Sequence, residues 1–392
     1  MNKTYDIIIV GGGMVGLATA TGLAQAGYHV AVIEKGQLDD DFSFETQMRV
    51  SAINNLSQKL LTQIGAWNEI PSQRLSVYRR MFIWEEKHQQ TLEFDATDIA
   101  QPELGHIIEN RVITTALKKV LLNSDFANHI SLYENAQWKN FYIDSDKVSI
   151  SIKEGTTLEG KLLIAADGAR SKIRQQLSIP TTINSYQQKA LVALIHSEKP
   201  HARCAWQKFL ETGPLAFLPM HDKNTHSIVW SLSDDLAEQL SALGKDDFAA
   251  KLTQAIGEKF GKLDVLSDIH QFPLIAAHAK DYYRHRVILI GDAAHCIHPL
   301  AGQGVNLGFK DAQEMIQILS GCKMDIGDKR VLQHYQLKRK LDNQLTQKSM
   351  SFINSGFQFN KYGIELLRGL GMSLLNQTTF IKKTMMHQAR AD

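Results

Sequence analysis

Cysteine is scarce in this chain of 392 residues, which has three, Cys204, Cys296 and Cys322, and no C-x-x-C pair. An odd number of widely spaced cysteines excludes a disulfide framework and gives no thiolate metal site. Charge of one sign is lacking too, because 43 Lys and Arg nearly balance 41 Asp and Glu. This balance argues against nucleic acid as a partner. The cysteine usage predicts a reducing, cytoplasmic setting.

The sequence also lacks an uninterrupted hydrophobic run that could span a membrane. Residues 7–33 contain no Asp, Glu, Lys or Arg, but Gly11, Gly12 and Gly13 break the run. The stretch follows Asp6 and no basic segment, which argues against a signal peptide. Hydrophobic residues make up 44% of the chain and charged residues 21%, as in a globular protein with a real core. The length predicts two domains, or one domain with an insertion.

The amino-terminal pattern predicts a βαβ unit. Residues 5–10 form a short apolar run that ends at glycine and is typical of a buried parallel strand. Small and apolar residues then recur at helical spacing over residues 15–26, and Gly27 can end that helix. Residues 28–34 follow as a second strand.

A glycine fingerprint lies at the turn of this unit. Gly11 permits a tight turn, Gly13 lets the backbone approach a pyrophosphate, and Gly16 allows close packing of the helix on the sheet. Glu34 ends the second strand, where a carboxylate accepts hydrogen bonds from ribose hydroxyls, with Lys35 beside it. The pattern therefore predicts FAD or NAD at this site and disfavours the 2′-phosphate of NADP.

A second motif decides for FAD. Gly291-Asp292 follows a strand predicted over residues 286–290, and a glycine-rich stretch continues to a helix that begins near Gly304. A carboxylate at the end of a strand can bind the ribityl chain of a flavin. The N–H groups of a helix start can stabilise the negative charge of the reduced ring. A simple dehydrogenase needs no such element.

The remaining pattern predicts an α/β fold with an inserted antiparallel sheet and a helical carboxyl-terminal region. Strand-like segments separated by turn residues run through residues 186–232, and residues 76–95 could add a hairpin to them. We expect a Rossmann-like FAD-binding domain formed by residues 1–75, 96–180 and 275–345. A substrate-binding sheet domain should comprise residues 76–95 and 181–274. A helical region should follow at residues 346–392.

Three motifs together resemble those of the single-component FAD-dependent aromatic hydroxylases, typified by p-hydroxybenzoate hydroxylase. They are the glycine fingerprint, the Asp167-Gly168 motif within residues 166–174, and Gly291-Asp292. The string over residues 298–311 is similar to the signature of the ubiquinone-biosynthesis branch of that family. The similarity extends from residue 5 to about residue 341. Within the branch, residues 78–80, 206–209 and 213–219 most resemble the hydroxylases of demethoxyubiquinol.

The resemblance implies FAD as the cofactor and NAD(P)H as a co-substrate without a Rossmann domain of its own. It assigns cofactor contacts to Gly11, Gly13, Gly16, Glu34, Lys35, Arg49, Arg111, Asp167, Asp292, Gly304, Val305 and Asn306. It places Pro299 beside the substrate ring. Phe217 is a candidate for the substrate wall or the core. No catalytic acid or base is identified, and His278 and Tyr186 are candidates by chemistry alone.

Several of these residues have simpler interpretations. Asp292 could cap a helix beginning at Ala293, and Asp167 could form a structural ion pair with Arg174. His295 and His298 flank Cys296, but no third ligand stands at metal spacing, so we expect no metal site. Cys296 itself is more typical of a small packed residue than of a nucleophile.

The implied reaction is ring hydroxylation of a polyprenylated quinol or phenol with NAD(P)H and O₂, and specifically of a demethoxyubiquinol. Alternatives are an earlier hydroxylation of the same pathway, an oxidase or prenyl reductase, and a flavin-binding scaffold of a ubiquinone-biosynthesis complex. Because the substrate is a lipid, residues 346–392, apolar and basic, could contact the inner face of the membrane as an interfacial helix pair. They could equally be helices packed on the FAD domain.

Overall fold

The computed structural model describes residues 2–86, 91–152, 155–296 and 304–358, with side chains to residue 348. The strands are β1 (Asn2–Val10), β2 (Val30–Ile33), β3 (Val50–Ile53), β4 (Ser76–Tyr78), β5 (Arg80–Glu85), β6 (Thr91–Asp95), β7 (Gly105–Glu109), β8 (Ile130–Tyr133), β9 (Trp138–Ile143), β10 (Val148–Ile152), β11 (Thr157–Ala165), β12 (Thr181–Ser197), β13 (Cys204–Leu210), β14 (Gly213–Pro219), β15 (Thr225–Ser233), β16 (Leu263–Val265), β17 (His270–Ala279), β18 (Tyr283–Arg284), β19 (Val287–Leu289) and β20 (His295–Cys296). The helices are α1 (Met14–Gln25), α2 (Asn55–Gln63), α3 (Ala66–Glu69), α4 (Asn110–Asn123), α5 (Lys172–Gln176), α6 (Asp234–Ser241), α7 (Lys245–Ile256), α8 (Gly304–Ser320) and α9 (Lys329–Gln358).

The first sheet has the order β18-β19-β11-β1-β2-β8. Strand β1 lies between β2 and β11 and is parallel to both, with Ile7 opposite Val30 and Leu162. Its apolar residues are buried because α1 and the rest of the core cover both faces of this central strand. The βαβ unit predicted from the sequence is confirmed, and the carboxyl ends of β1, β11 and β19 meet at one edge of the sheet.

The second sheet is the inserted antiparallel sheet, with the order β20-β17-β12-β15-β14-β13-β5-β6. The predicted hairpin at 76–95 joins it through β5, which pairs in parallel with β13. The beginning of that segment, β4, belongs instead to a small third sheet with β3 and β7. Strand β17 runs from His270 to Ala279 and so crosses the domain border expected between residues 274 and 275. The division into domains stays a prediction.

Helices α6 and α7 were not expected from the sequence, and they cover one face of the inserted sheet. The core between these helices and the sheet contains Trp230, Phe248 and Leu252, which are all buried. The opposite face of the sheet packs toward the FAD-binding part through Leu194 and Met220, which contact Met48 in one cluster. The inserted sheet therefore has a helix-covered face and a face that borders the nucleotide-binding half.

The described residues after Ala301 are mainly helical, as predicted, in α8 and α9. Helix α8 packs against α1, and α9 packs against α8 and β18. Residues 359–392, most of the predicted carboxyl-terminal region, lie outside the described residues. In the part of the chain that the structure covers, no helix combines the length and hydropathy needed to cross a bilayer.

Candidate active site

The glycine turn between β1 and α1 contains two glycines that packing requires and one that leaves space. Gly11 has φ +110°, and a Cβ atom there would lie 2.2 Å from the carbonyl oxygen of Ala166. A Cβ atom on Gly16 would lie 2.0 Å from the carbonyl oxygen of Gly11. Gly13 has φ −74° and faces open space. A cradle for a phosphate group is therefore present at the start of α1.

Glu34 is half-buried at the end of β2 and holds the glycine turn. One carboxylate oxygen accepts a hydrogen bond from the Gly12 N–H at 2.6 Å, and the other accepts from the Gly36 N–H at 2.9 Å. A Cβ atom on Gly12 would lie 2.8 Å from the Glu34 Cβ atom, so this position needs glycine as well. Gly12 was absent from the sequence prediction, although the run of three glycines was the signal for it. Lys35 is exposed beside Glu34.

Asp292 follows β19 at the carboxyl edge of the first sheet. Protein atoms surround the Asp292 side chain, but solvent still reaches it. The partial loss of water around the carboxyl group raises its pKa. The positive charge of Arg49 counteracts part of that rise, and the Arg49 guanidinium lies 5.1 Å from the ring centre of Phe272. No α-helix begins at Ala293. A single 3₁₀ turn leads directly into β20, so the interpretation as a helix cap was wrong.

The start of α8 lies close to the corner between β3 and α2. Gly304 and Val305 are half-buried there, whereas Asn306 is buried. The Asn306 side chain accepts from the Asn54 N–H at 3.2 Å and donates to the Ala52 carbonyl at 2.8 Å. Its amide thus joins two parts of the fold, which leaves the backbone of the helix start as the group that could face a flavin.

Asp167 follows β11 at the same sheet edge. One oxygen accepts from the N–H groups of Lys172 and Ile173, at 2.8 and 3.3 Å, at the start of α5. The other oxygen is buried and has no partner among the described residues. A buried carboxylate oxygen without a donor is unfavourable, and a hydroxyl of a bound ligand or a water molecule would satisfy it.

Arg174 connects the two Asp-containing motifs, but not through an ion pair. Its guanidinium donates to the carbonyl oxygens of Ala293 and Ala169, at 2.6 and 2.8 Å. Within the described residues it makes no ion pair with Asp167, so that alternative was wrong. The arginine instead fixes the Gly291–Ala293 turn relative to the turn after β11.

Asp311 in α8 is the centre of a fully buried polar network behind this turn. One carboxylate oxygen accepts from His295 Nε2 at 2.6 Å and from the Gly291 N–H at 2.9 Å. The other accepts from Arg339 Nε at 2.8 Å and from the Asn343 amide at 3.2 Å. Burial alone would raise the pKa of Asp311, but the charges of His295 and Arg339 lower it to about 2. Asp311 is the last residue of the motif over residues 298–311, but the motif predicted no role for it.

Arg111 lies in the first turn of α4 and is half-exposed. Its guanidinium forms a bidentate ion pair with Asp39, in which Nε lies 2.8 Å from Oδ2. It also lies 4.3 Å from the ring centre of Phe44. These contacts place Arg111 beside the segment that follows β2, and its contact with FAD stays a prediction.

The structure corrects one of the two residues proposed to contact the substrate. Phe217 is fully buried on the helix-covered face of the inserted sheet, where it stacks on Phe260 with ring centres 4.9 Å apart. Trp230 belongs to the same core. Phe217 is therefore a core residue and not part of a substrate wall. Pro299 lies outside the described residues.

The opposite face of the inserted sheet offers a different wall. The buried residues Ala190, Val192 and Leu274 form an apolar cluster there, and Met48, Tyr186, Val229 and Phe272 pack against it. Because Phe272 also contacts Arg49, whose positive charge acts on Asp292, this cluster borders the predicted flavin site. Strand periodicity predicts two faces for each strand, but it does not say which face meets the FAD-binding half.

His278 has the properties of a neutral structural histidine. It is buried on β17, its Nε2 lies 3.2 Å from the Tyr282 hydroxyl, and burial lowers its pKa to about 4. Cys296 is equally unreactive, because burial raises the pKa of its thiol to about 12. Neither group supplies a charged acid or a thiolate near neutral pH.

Comparisons with known proteins agree with this geometry. The chain matches the family described as FAD binding domain over residues 4–349. It is 34% identical to the 3-demethoxyubiquinol 3-hydroxylase of Escherichia coli (strain K12), covering 99% of both chains. It is also 34% identical to the mitochondrial ubiquinone biosynthesis monooxygenase COQ6 of Danio rerio, covering 98% of this chain and 89% of that protein.

The fold is shared with solved flavoproteins. The crystal structure of p-nitrophenol 4-monooxygenase PnpA from Pseudomonas putida DLL-E4 superposes with a TM-score of 0.80 at 17% identity, covering 98% of each chain. Since the glycine cradle, the unpaired oxygen of Asp167 and the accessible Asp292 lie at the edge where such folds hold a dinucleotide, the residues present fit FAD. The chain belongs to the FAD binding domain family and is a flavin-dependent monooxygenase, with FAD as its cofactor and NAD(P)H as the co-substrate typical of that family.

Proposed function

We propose that this monooxygenase hydroxylates the ring of a polyprenylated quinol in ubiquinone biosynthesis. The specific proposal is a 3-demethoxyubiquinol 3-hydroxylase acting on 2-polyprenyl-3-methyl-6-methoxy-1,4-benzoquinol. The observation that carries it is the 34% identity, over essentially the whole length of both chains, with the E. coli enzyme of that name. Similarity across the inserted sheet as well as the nucleotide-binding half supports a common substrate class.

The geometry of the sheet edge supports the cofactor contacts that we propose. Gly13 and the start of α1 would hold the pyrophosphate, and Glu34 would accept from the ribose. Asp292 would bind the ribityl chain, and Arg49 lies across from it. Lys35, Arg111, Asp167, Gly304, Val305 and the backbone of Asn306 complete the proposed set. Bound FAD, reduced by NAD(P)H, supplies the electrons and activates O₂ for insertion of one oxygen atom into the ring.

The chain's own contribution is to position the substrate and exclude water. The apolar cluster around Val192 and Leu274, with Phe272 packed against it, offers a dry surface on which an aromatic ring can lie. A quinol ring is already electron-rich, so the reaction does not require a strong base. His278, which is hydrogen-bonded to Tyr282 and has a pKa of about 4, is only a weak base, and this agrees with a reaction that needs no strong one.

The lipid substrate makes a membrane contact part of the proposal. We place the enzyme in the cytoplasm, at the inner face of the membrane, and assign a contact to the carboxyl-terminal region 346–392. Association with other ubiquinone-biosynthesis proteins would serve the same need. Truncation before Thr346, in a protein that retains FAD, should weaken binding to liposomes. Unchanged binding by the truncated protein would remove this assignment.

A second candidate is an earlier hydroxylation of the same pathway, on a polyprenylphenol or its methoxyphenol. The similarity to the COQ6 protein, at the same 34% identity, favours it as the alternative. A flavin-binding scaffold without catalysis is a third reading, which no particular contact supports.

Mass spectrometry of the quinone pool in cells that lack this protein separates these candidates. Accumulation of a quinone that carries the ring methyl group but lacks one methoxy group is the expected result. Accumulation of a polyprenylphenol or methoxyphenol would move the enzyme to the earlier step. An unchanged pool would contradict a role in ubiquinone biosynthesis.

A further inference from the structure

Helix α9 presents a stripe of exposed leucines to solvent. Leu337, Leu341 and Leu345 are 67%, 62% and 56% exposed, the highest values for leucine among the described residues. They stand four residues apart, so each is about 6 Å further along the helix axis and about 40° around it. Exposed leucines scattered singly are ordinary, but a continuous stripe on one helix face marks an interaction surface.

The stripe is held facing outward because the other side of α9 is anchored. Tyr335, Arg339 and Asn343 are buried and are offset by two residues from the leucines. Arg339 and Asn343 both bond to Asp311, the buried centre of the network behind the flavin site. The helix can therefore not rotate its leucines into the core without breaking these bonds.

The charge around the stripe is mainly positive. The one acidic residue of α9 between 329 and 348, Asp342, has a half-exposed side chain and is paired with Arg339 at 2.6 Å. The exposed residues of this stretch are Lys329, Arg330, Gln333, His334, Leu337, Lys338, Leu341, Leu345 and Lys348. Two of these cations are partly neutralised, Arg330 by Asp328 at 2.9 Å and Lys338 by Glu314 at 2.7 Å. Leucines flanked by basic residues form the pattern of a helix that lies in the headgroup region of an anionic membrane.

The size of the stripe also distinguishes between partners. Three leucine side chains offer roughly 300 Å² of apolar surface, whereas a stable protein interface buries about 800 Å² on each partner. A lipid surface has no such minimum, because apolar insertion and attraction to anionic lipids act together.

We propose that the leucine face of α9, formed by Leu337, Leu341 and Leu345 with the surrounding cations, binds an anionic phospholipid surface. The choice of a lipid partner rests on the proposed function, in which the substrate is carried in the membrane. This face lies before most of the carboxyl-terminal region assigned above, and it fixes which side of the folded enzyme meets the bilayer. The buried side of the same helix reaches the turn that holds Asp292 through Asp311.

The test is flotation of the full-length, FAD-loaded protein with phosphatidylcholine vesicles that contain phosphatidylglycerol. The triple variant Leu337→Gln, Leu341→Gln, Leu345→Gln should bind at least tenfold more weakly than the unaltered chain. The matched control is Leu122→Gln with Leu266→Gln, two leucines that are 51% and 52% exposed elsewhere, and it should bind like the unaltered chain. FAD content and thermal midpoint check that each variant is folded.

Three results would overturn the inference: equal flotation of the triple variant and the unaltered chain, an equal loss in the control, or a change of oligomeric state in place of a loss of flotation. The last result would assign the face to a second copy. The vesicles carry no quinol, so the outcome does not depend on the substrate. Hydroxylation of a short-chain quinol in detergent, measured on the same proteins, tests the proposed function separately.

Discussion

At the residue scale, substitutions in the glycine turn allow FAD binding to be tested separately from protein stability. Gly13→Ala adds a methyl group to open space in front of α1, at a φ that alanine adopts freely. We expect the FAD-free variant to keep its thermal midpoint within about 2 °C while its FAD affinity falls at least tenfold, since the methyl group occupies the phosphate cradle. Gly11→Ala should instead destabilise the FAD-free protein. Equal FAD titrations for Gly13→Ala and the unaltered chain would contradict the proposed cradle.

Asp292 gives a second prediction at this scale. Asp292→Asn keeps the size of the side chain but weakens a hydrogen bond to a flavin hydroxyl, and a bond to a charged group is worth about 1.5–3 kcal/mol. FAD should therefore bind at least tenfold more weakly in a fluorescence titration. The exposed Asp268→Asn serves as the control and should leave the affinity unchanged. Full complementation by a flavin-free Asp292→Ala variant would favour the scaffold reading over the enzyme.

At the scale of elements, the network around Asp311 joins α8, α9, β20 and the Gly291 turn. Asp311→Asn removes the buried counter-charge of Arg339 and leaves it only the half-exposed Asp342 at 2.6 Å, and breaking a buried pair costs about 3–5 kcal/mol. We expect a loss of that size in urea unfolding, together with weaker FAD binding, because the Gly291 N–H loses its charged acceptor. The exposed Asp264→Asn, which breaks a surface ion pair, should change neither quantity measurably. Unaltered stability of Asp311→Asn would refute the network.

Some helices and strands could be predicted from the sequence, and others could not. The βαβ unit was predictable because its strands, glycines and helix are contiguous in sequence. Helices α6 and α7 were missed although Phe248, Leu252 and Ile256 recur at helical spacing, because the surrounding strands dominated the pattern. The partners of Asp311 in α9 are 28 and 32 residues away, and only the packing of α9 on α8 brings them together.

At the scale of the whole molecule, buried histidines predict how stability depends on pH. Burial lowers the pKa of His106 and His278 to about 4 and that of His226 to about 3. In the unfolded chain a histidine titrates near 6.5. Between pH 6.5 and 4 the unfolded chain therefore binds protons that the folded chain does not, so stability falls as the pH falls. Each histidine should cost about 2 kcal/mol at pH 5 relative to pH 7.

Urea unfolding at pH 7 and pH 5 measures this effect. His278→Gln should reduce the difference between the two pH values by the share of one histidine, whereas the exposed His334→Gln should leave it unchanged. A free energy of unfolding that stays constant between pH 7 and pH 5 would contradict neutral burial of these rings.

The orientation of the inserted sheet illustrates what sequence cannot give at this scale. Alternation along β14 places Phe217 and Leu218 on opposite sides of the sheet, but it does not say which side meets the flavin. Packing of α6 and α7 decides this, and it buries Phe217 away from the site. Most residues proposed to bind the nucleotide could be selected from the sequence because they follow a strand in the chain, whereas the proposed substrate wall is assembled from strands far apart in sequence.

The proposed reaction inserts one oxygen atom from O₂ into a demethoxyubiquinol. It can be followed directly by incubating the purified, FAD-loaded protein with NAD(P)H, ¹⁸O₂ and a short-chain demethoxyubiquinol, and by analysing the product by mass spectrometry. We expect one ¹⁸O atom in the ring hydroxyl, with NAD(P)H consumption that depends on the quinol. Consumption of NAD(P)H that yields hydrogen peroxide and an unlabelled quinol would contradict it.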